Sequence, residues 1–100
     1  MRIRWDEAKR QKILGERNVD FGDLDDLLSQ PYVEDRRWRA PDQYRVIGFA
    51  GGRLTTFVVE YREDTIGELI WVITGWKSTA QEEKAYEQET QKRGRHRTHR

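Results

Sequence analysis

Apolar and polar positions alternate in a way that separates helical from extended stretches along the chain. Arg2-Ile3-Arg4-Trp5 has the two-residue period of a short strand with Ile3 and Trp5 facing inward. Asp6 then predicts the N-cap of a helix from Glu7 to about Arg17, with acidic Asp6 and Glu7 at its positive end. Asn18 suits the left-handed position that closes such a helix, with Val19 folding back on Leu14. Gly15 weakens the last turn by roughly 1 kcal/mol relative to alanine, so an earlier end is also open. Asp20 predicts the cap of a second helix, in which Phe21, Leu24, Leu27 and Leu28 form one apolar stripe that Gln30-Pro31 ends.

Beyond Pro31 the period shifts to that of strands. Tyr32 to Arg37 suits an edge strand, and Trp38-Arg39-Ala40-Pro41-Asp42 an exposed loop. Tyr44–Ala50 and Leu54–Tyr61 are joined by Gly51-Gly52, a hairpin signal because both positions tolerate positive φ. Arg62 to Gly67 is a polar turn. Leu69 to Trp76 is β-branched and aromatic, as in a strand buried on both faces. Trp71 and Trp76 lie an odd number of residues apart, which predicts opposite sides of the sheet. Thr79 and Glu82 form the reciprocal capping pair that opens a last helix, and Ser78 with Gln81 offers the same pairing one residue earlier. The expected fold is α+β, in the order β-α-α-β-β-β-β-α. It is a four-stranded antiparallel meander, with a short N-terminal strand, packed on one side by two N-terminal helices and one C-terminal helix.

One hundred residues suit one small domain, residues 1–91, followed by a flexible tail, 92–100. Apolar residues make up 35% and charged residues 37%, the balance of a thin core that leans on a partner. The absence of cysteine excludes disulfides and thiolate metal sites. Both histidines, His96 and His99, lie in the tail, which argues against a histidine base or metal site in the body. No apolar run reaches membrane-spanning length, and Met-Arg-Ile-Arg-Trp lacks a signal-peptide core, so a cytoplasmic protein without a membrane contact or cofactor is expected. The net charge of +1 hides a division. Residues 92–100 hold five of the 19 basic residues and no acid, leaving 14 bases against 18 acids in the body. Nucleic-acid affinity therefore requires a local basic patch, the tail, or both.

Several segments carry a family resemblance: Trp5-Asp6-Glu7-Ala8-Lys9, Val19-Asp20-Phe21, Arg45-Val46-Ile47-Gly48, Gly52-Arg53, the apolar strand into Lys77-Ser78-Thr79, and Glu82 with Tyr86. In order and spacing, over residues 3–88, the chain resembles the BrnT toxins, the ribonuclease half of BrnT/BrnA type II toxin–antitoxin modules. The resemblance implies a RelE-like fold and metal-independent RNA cleavage. It also implies a ribbon-helix-helix antitoxin that silences the toxin, with operator DNA bound only through that complex. Two features depart from the family pattern. Glu16-Arg17-Asn18 stands where the family has Lys-His-Gly, and Trp71 and Trp76 replace two arginines.

Metal-free cleavage needs the 2′-OH to attack the adjacent phosphate, with a base, an acid and cations where charge builds. Lys77 is the leading phosphate cation, because it follows the Leu69–Trp76 strand beside a helix start. Lys9 matches a family lysine. Arg53 and Arg62 lie at opposite ends of one strand, so one site is not expected to use both. Arg17 keeps a cation at the end of the first helix, Glu82 is a candidate base and Tyr86 a candidate acid. Trp76 is a candidate for stacking an RNA base. Two functions follow. One is a ribonuclease toxin. The other is a catalytically degenerate toxin homologue acting as an antitoxin-binding co-repressor module, which the two tryptophans favour.

Overall fold

The N-terminal strand β1 (Arg2–Trp5) lies parallel to β5 (Glu68–Lys77), pairing Arg2 with Leu69 and Trp5 with Val72. β1 thus becomes one edge of a five-stranded mixed sheet in the order β1-β5-β4-β3-β2, with β2 at Val33–Arg36, β3 at Gln43–Ala50 and β4 at Arg53–Glu63. This computed structural model describes residues 2–37 and 39–98, the last seven of these as backbone only. Trp38 therefore lies outside the described residues. Among the described residues, no helix is long and apolar enough to cross a membrane.

Local chemistry sets the elements. The Asp6 carboxylate accepts the Lys9 N–H and starts α1 (Glu7–Arg17). Asn18, at φ 55°, ends it by donating its N–H to the Leu14 carbonyl, so Gly15 does not stop the helix early. Asp20 accepts from the Gly22 N–H, but the segment it caps begins as a 3-10 turn, Phe21–Asp23, before α2 (Leu24–Leu28). Gly51 and Gly52, at φ 59° and 81°, close the β3–β4 hairpin as the sequence predicts. At the other end of β4, Asp64 accepts the N–H groups of Ile66 and Gly67, while Arg2 grips its carboxylate with two nitrogens at 2.7 and 2.9 Å. That clamp ties the first strand to the β4–β5 turn and holds the Asp64 carboxyl well below its usual range.

Two expectations are corrected. The sheet is not a purely antiparallel meander, because Ile3 and Trp5 reach the core by lying beside β5. Nor do all the helices pack on one side. Ile13 of α1 and Leu24 and Leu27 of α2 join Val46, Phe57, Val59, Ile70 and Val72 in the core. α3 (Ala80–Thr98) instead reaches the opposite face through Glu82, which accepts from Thr56, the neighbour of Phe57 along β4. The basic segment 92–100, expected as a tail, continues this helix to Thr98, and its side chains lie outside the described residues.

The tryptophan geometry is also corrected. Val58 pairs with Thr74 but Val59 pairs with Val72, so Ile73 is an extra residue in β5. The bulge reverses the alternation between Trp71 and Trp76. Trp71 stands opposite Glu60 and Trp76 opposite Thr56, four residues apart along β4, so both indoles share the α3 face.

Just beyond the bulge, a Cβ on Gly75 would meet Phe57 Cδ1 at 2.8 Å and the Thr56 carbonyl oxygen at 3.3 Å. Phe57 is fully buried and has little room to give. Gly75→Ala should lower stability by about 1–3 kcal/mol through overpacking. Urea titration checks this as a lower midpoint with unchanged slope.

Candidate nucleic-acid interface

The end of β5 and the start of α3 are joined by one carboxylate. Thr79 and Glu82 make the reciprocal capping pair: Thr79 N–H donates to Glu82 Oε1 at 2.9 Å and Glu82 N–H to Thr79 Oγ1 at 3.2 Å. The same Oε1 accepts from Trp76 Nε1 and from Thr56 Oγ1, each at 2.9 Å. Oε2 faces Arg45 Nη1 at 3.3 Å. Glu82 is only 5% exposed. Burial pushes its carboxyl up, but the Thr79 N–H, Trp76, Thr56 and Arg45 together outweigh burial and hold it below its ordinary value. A carboxylate so engaged is a structural anion, not a base waiting for a proton.

Around this junction the α3 face carries two clefts of different character. The first, of about 370 Å³, is lined by Asp35, Arg36, Arg37, Arg39, Arg45 and Trp76. Arg37, Arg39 and Arg45 bring cations to it against Asp35, with buried Glu82 behind Arg45, in a body whose total is negative, whereas Arg36 turns its guanidinium to Tyr44 on the other face of the sheet. Trp76 enters it with its indole N–H already spent on Glu82, leaving the ring face as its means of contact. Arg36 donates to the Tyr44 hydroxyl at 2.7 Å and lies over that ring, and Arg37 donates to Gln43 at 3.3 Å.

The second cleft, of about 680 Å³, is lined by residues that include Phe49, Arg53, Lys77, Glu83, Tyr86 and Glu87. It brings together three of the residues singled out from sequence, Lys77, Arg53 and Tyr86. Two carboxylates offset its two cations, so it offers a polyanion little net attraction. Arg53 also donates to the Asn18 carbonyl at 2.6 Å, and the Tyr86 hydroxyl donates to the Pro31 carbonyl at 3.2 Å while its ring meets Phe49 edge to face. Tyr86 thus fastens α3 to the α2–β2 connection.

The remaining candidates scatter. Lys9 sits in the first turn of α1 and lines neither cleft. Arg17 reaches the edge of β5, donating to the Gly75 carbonyl at 3.0 Å and Thr74 Oγ1 at 3.3 Å. Arg62 pairs with Leu69, whereas Lys77 pairs with Thr55, seven residues back along β4 and roughly 23 Å away. There Arg62 stacks on Trp71 at 4.6 Å and pairs with Glu60. The arginine cleft escaped sequence reasoning because its residues fall on an edge strand, a loop and the β3 interior. The density of arginine between positions 36 and 45 was the available signal.

Because its folded-state value is depressed, Glu82 contributes stability that is complete above the unfolded-state value, near 4.3. That contribution is lost as pH falls through the lower folded-state value. Equilibrium unfolding followed downward from pH 7 should therefore decline in the acid range, and Glu82→Gln should make that decline shallower. Glu82→Ala at neutral pH should cost about 2–4 kcal/mol, since it removes the cap and strands the Trp76 donor and one acid of Arg45. Comparison with known proteins finds no protein-family model that matches the chain and no curated relative.

Proposed function

We propose that the chain is the RNA-directed toxin of a type II toxin–antitoxin pair, a RelE-like, BrnT-type endoribonuclease neutralised by a ribbon-helix-helix antitoxin. The observation that carries the RNA reading is the arginine cleft: Arg37, Arg39 and Arg45 line one depression with Trp76. Cations that track a phosphate backbone beside an aromatic ring are the elements of single-strand binding. An indole whose N–H is occupied reads no base edge, so the expected affinity is tolerant of sequence.

In such a cleft, the guanidinium groups would serve the reaction by stabilising the charge that builds when a ribose 2′-OH, losing its proton to water, attacks its neighbouring phosphate and the 5′-oxygen departs with a proton taken from water. Lys77 and Arg53 line the other cleft, where Glu83 and Glu87 balance them, so the RNA reading does not rest on them. Glu82 and Tyr86 do not act as base and acid in this reading, since both are engaged within the fold. That engagement favours a second reading, a catalytically degenerate toxin homologue acting as an antitoxin-binding co-repressor module without cleaving RNA.

Purified protein mixed with end-labelled single-stranded RNA in EDTA separates these readings. EDTA-insensitive cleavage, reduced in Arg37→Ala, supports the nuclease. Binding without cleavage leaves the second reading. Failure to bind RNA at low salt removes the nuclease and leaves only the co-repressor module. For the binding step, Arg37→Ala should reduce the salt slope by roughly 0.7 for each phosphate that the variant no longer neutralises. Trp76→Phe, which keeps an aromatic face, should bind more tightly than Trp76→Ala.

A further inference from the structure

Arg45 presents two different edges to two different acids. The edge formed by Nε and Nη2 meets Asp35 bidentately, Nε to Oδ1 at 3.1 Å and Nη2 to Oδ2 at 2.7 Å. The remaining nitrogen, Nη1, reaches Glu82 Oε2 at 3.3 Å. The two acids differ in burial: the Asp35 side chain is 47% exposed and that of Glu82 6%. Asp35 lies on the edge strand β2 directly opposite Arg45 and lines the arginine cleft.

The Nε–Nη2 edge of a guanidinium is the fork that matches a phosphate through two parallel N–H···O bonds, and a carboxylate fills it in the same way. We propose that Asp35 is an internal substitute for a phosphate group: it occupies the Arg45 fork while the cleft is empty, and a backbone phosphate of single-stranded RNA displaces it. This rests on the RNA reading above and adds how the cleft is held between occupants. The exchange has a direction because the two ion pairs differ. Separating Arg45 from half-exposed Asp35 costs little, since both groups return to water. Separating it from Glu82 would strand a buried carboxylate, so Glu82 keeps Arg45 in place while the fork changes partner. Arg37 and Arg39 line the same cleft, within which neighbouring phosphates can settle. A consequence is selection by charge. A small monoanion gains no more from the fork than Asp35 already supplies, whereas a chain of phosphates adds interactions that Asp35 cannot make.

The test measures binding of a fluorescein-labelled single-stranded RNA 10-mer, and separately of inorganic pyrophosphate, to the full chain and its Asp35→Asn variant across a salt series. The expected result is an affinity about two- to fivefold higher for Asp35→Asn, the range set by an exposed ion pair. The salt slope should steepen by up to roughly 0.7, one phosphate on a single strand. Removing any acid could raise polyanion affinity, so the comparison is repeated in an Arg45→Lys background, which keeps the charge and loses the fork. There the Asp35→Asn gain should disappear. Should Arg45→Lys not fold, Glu83→Gln replaces it, and a gain equal to that of Asp35→Asn overturns the proposal. Wild-type RNA binding that Asp35→Asn leaves unchanged also overturns it, with the RNA reading intact. Absence of RNA binding in both proteins, with pyrophosphate bound more tightly by Asp35→Asn, keeps the fork exchange and removes RNA as its ligand. No binding of either probe removes both.

Discussion

A carboxylate buried at the start of the last helix joins parts of the molecule that sequence keeps apart. Glu82 takes hydrogen bonds from a strand hydroxyl, an indole and a helix-end amide on one oxygen, and faces a guanidinium with the other. Burying a lone carboxylate is expensive, and these partners offset that cost only while all are in place. The sheet, helix α3 and the arginine cleft are therefore linked: Thr56, Thr79, Trp76 and Arg45 each depend on the same anion. Such a network fixes the position of Trp76 more firmly than packing of a half-buried ring could.

The distribution of charge follows from this arrangement. The body carries more acid than base, yet the cleft beside Trp76 gathers arginines from the loop after β2 and from β3. Edge-strand and loop positions can carry several cations because none has to be buried, and they meet only when the sheet forms. Lys77, by contrast, stands at a strand end where Glu83 and Glu87 follow on the helix facing it. A cation next to a helix start is attractive in isolation, but the first turns of a helix also favour acids, and here those acids balance it.

Local chemistry was legible in the sequence. Asp6, Asn18, Asp20, Gly51-Gly52 and the Thr79–Glu82 pair each act within a few residues, and each does what its side chain or backbone freedom dictates. What could not be read depended on distant partners. The alternation rule placed Trp71 and Trp76 on opposite faces, and one inserted residue, Ile73, reversed it. Periodicity gave β1 as a strand but not its parallel neighbour, and gave α3 as a helix but not its side of the sheet. For the site, the family resemblance nominated Lys9, the strand end beside a helix start nominated Lys77, and Arg62 was a further candidate cation. Strand length and helix placement separate them, while Arg45 and Asp35, looking like ordinary strand alternation, meet across a ladder.

The pairing of β1 with β5 also bears on how the chain is made. Residues 2–5 find their neighbour only at residues 69–72, and Arg2 its acid at residue 64. Residues 69–72 must therefore leave the ribosome before β1 has its neighbour. Pairings so distant along the backbone form slowly, because a long loop must close first. Until then Ile3 and Trp5 remain in water and the cleft is unformed. A chain interrupted before β5 cannot assemble the cleft, because Trp76 lies on that strand.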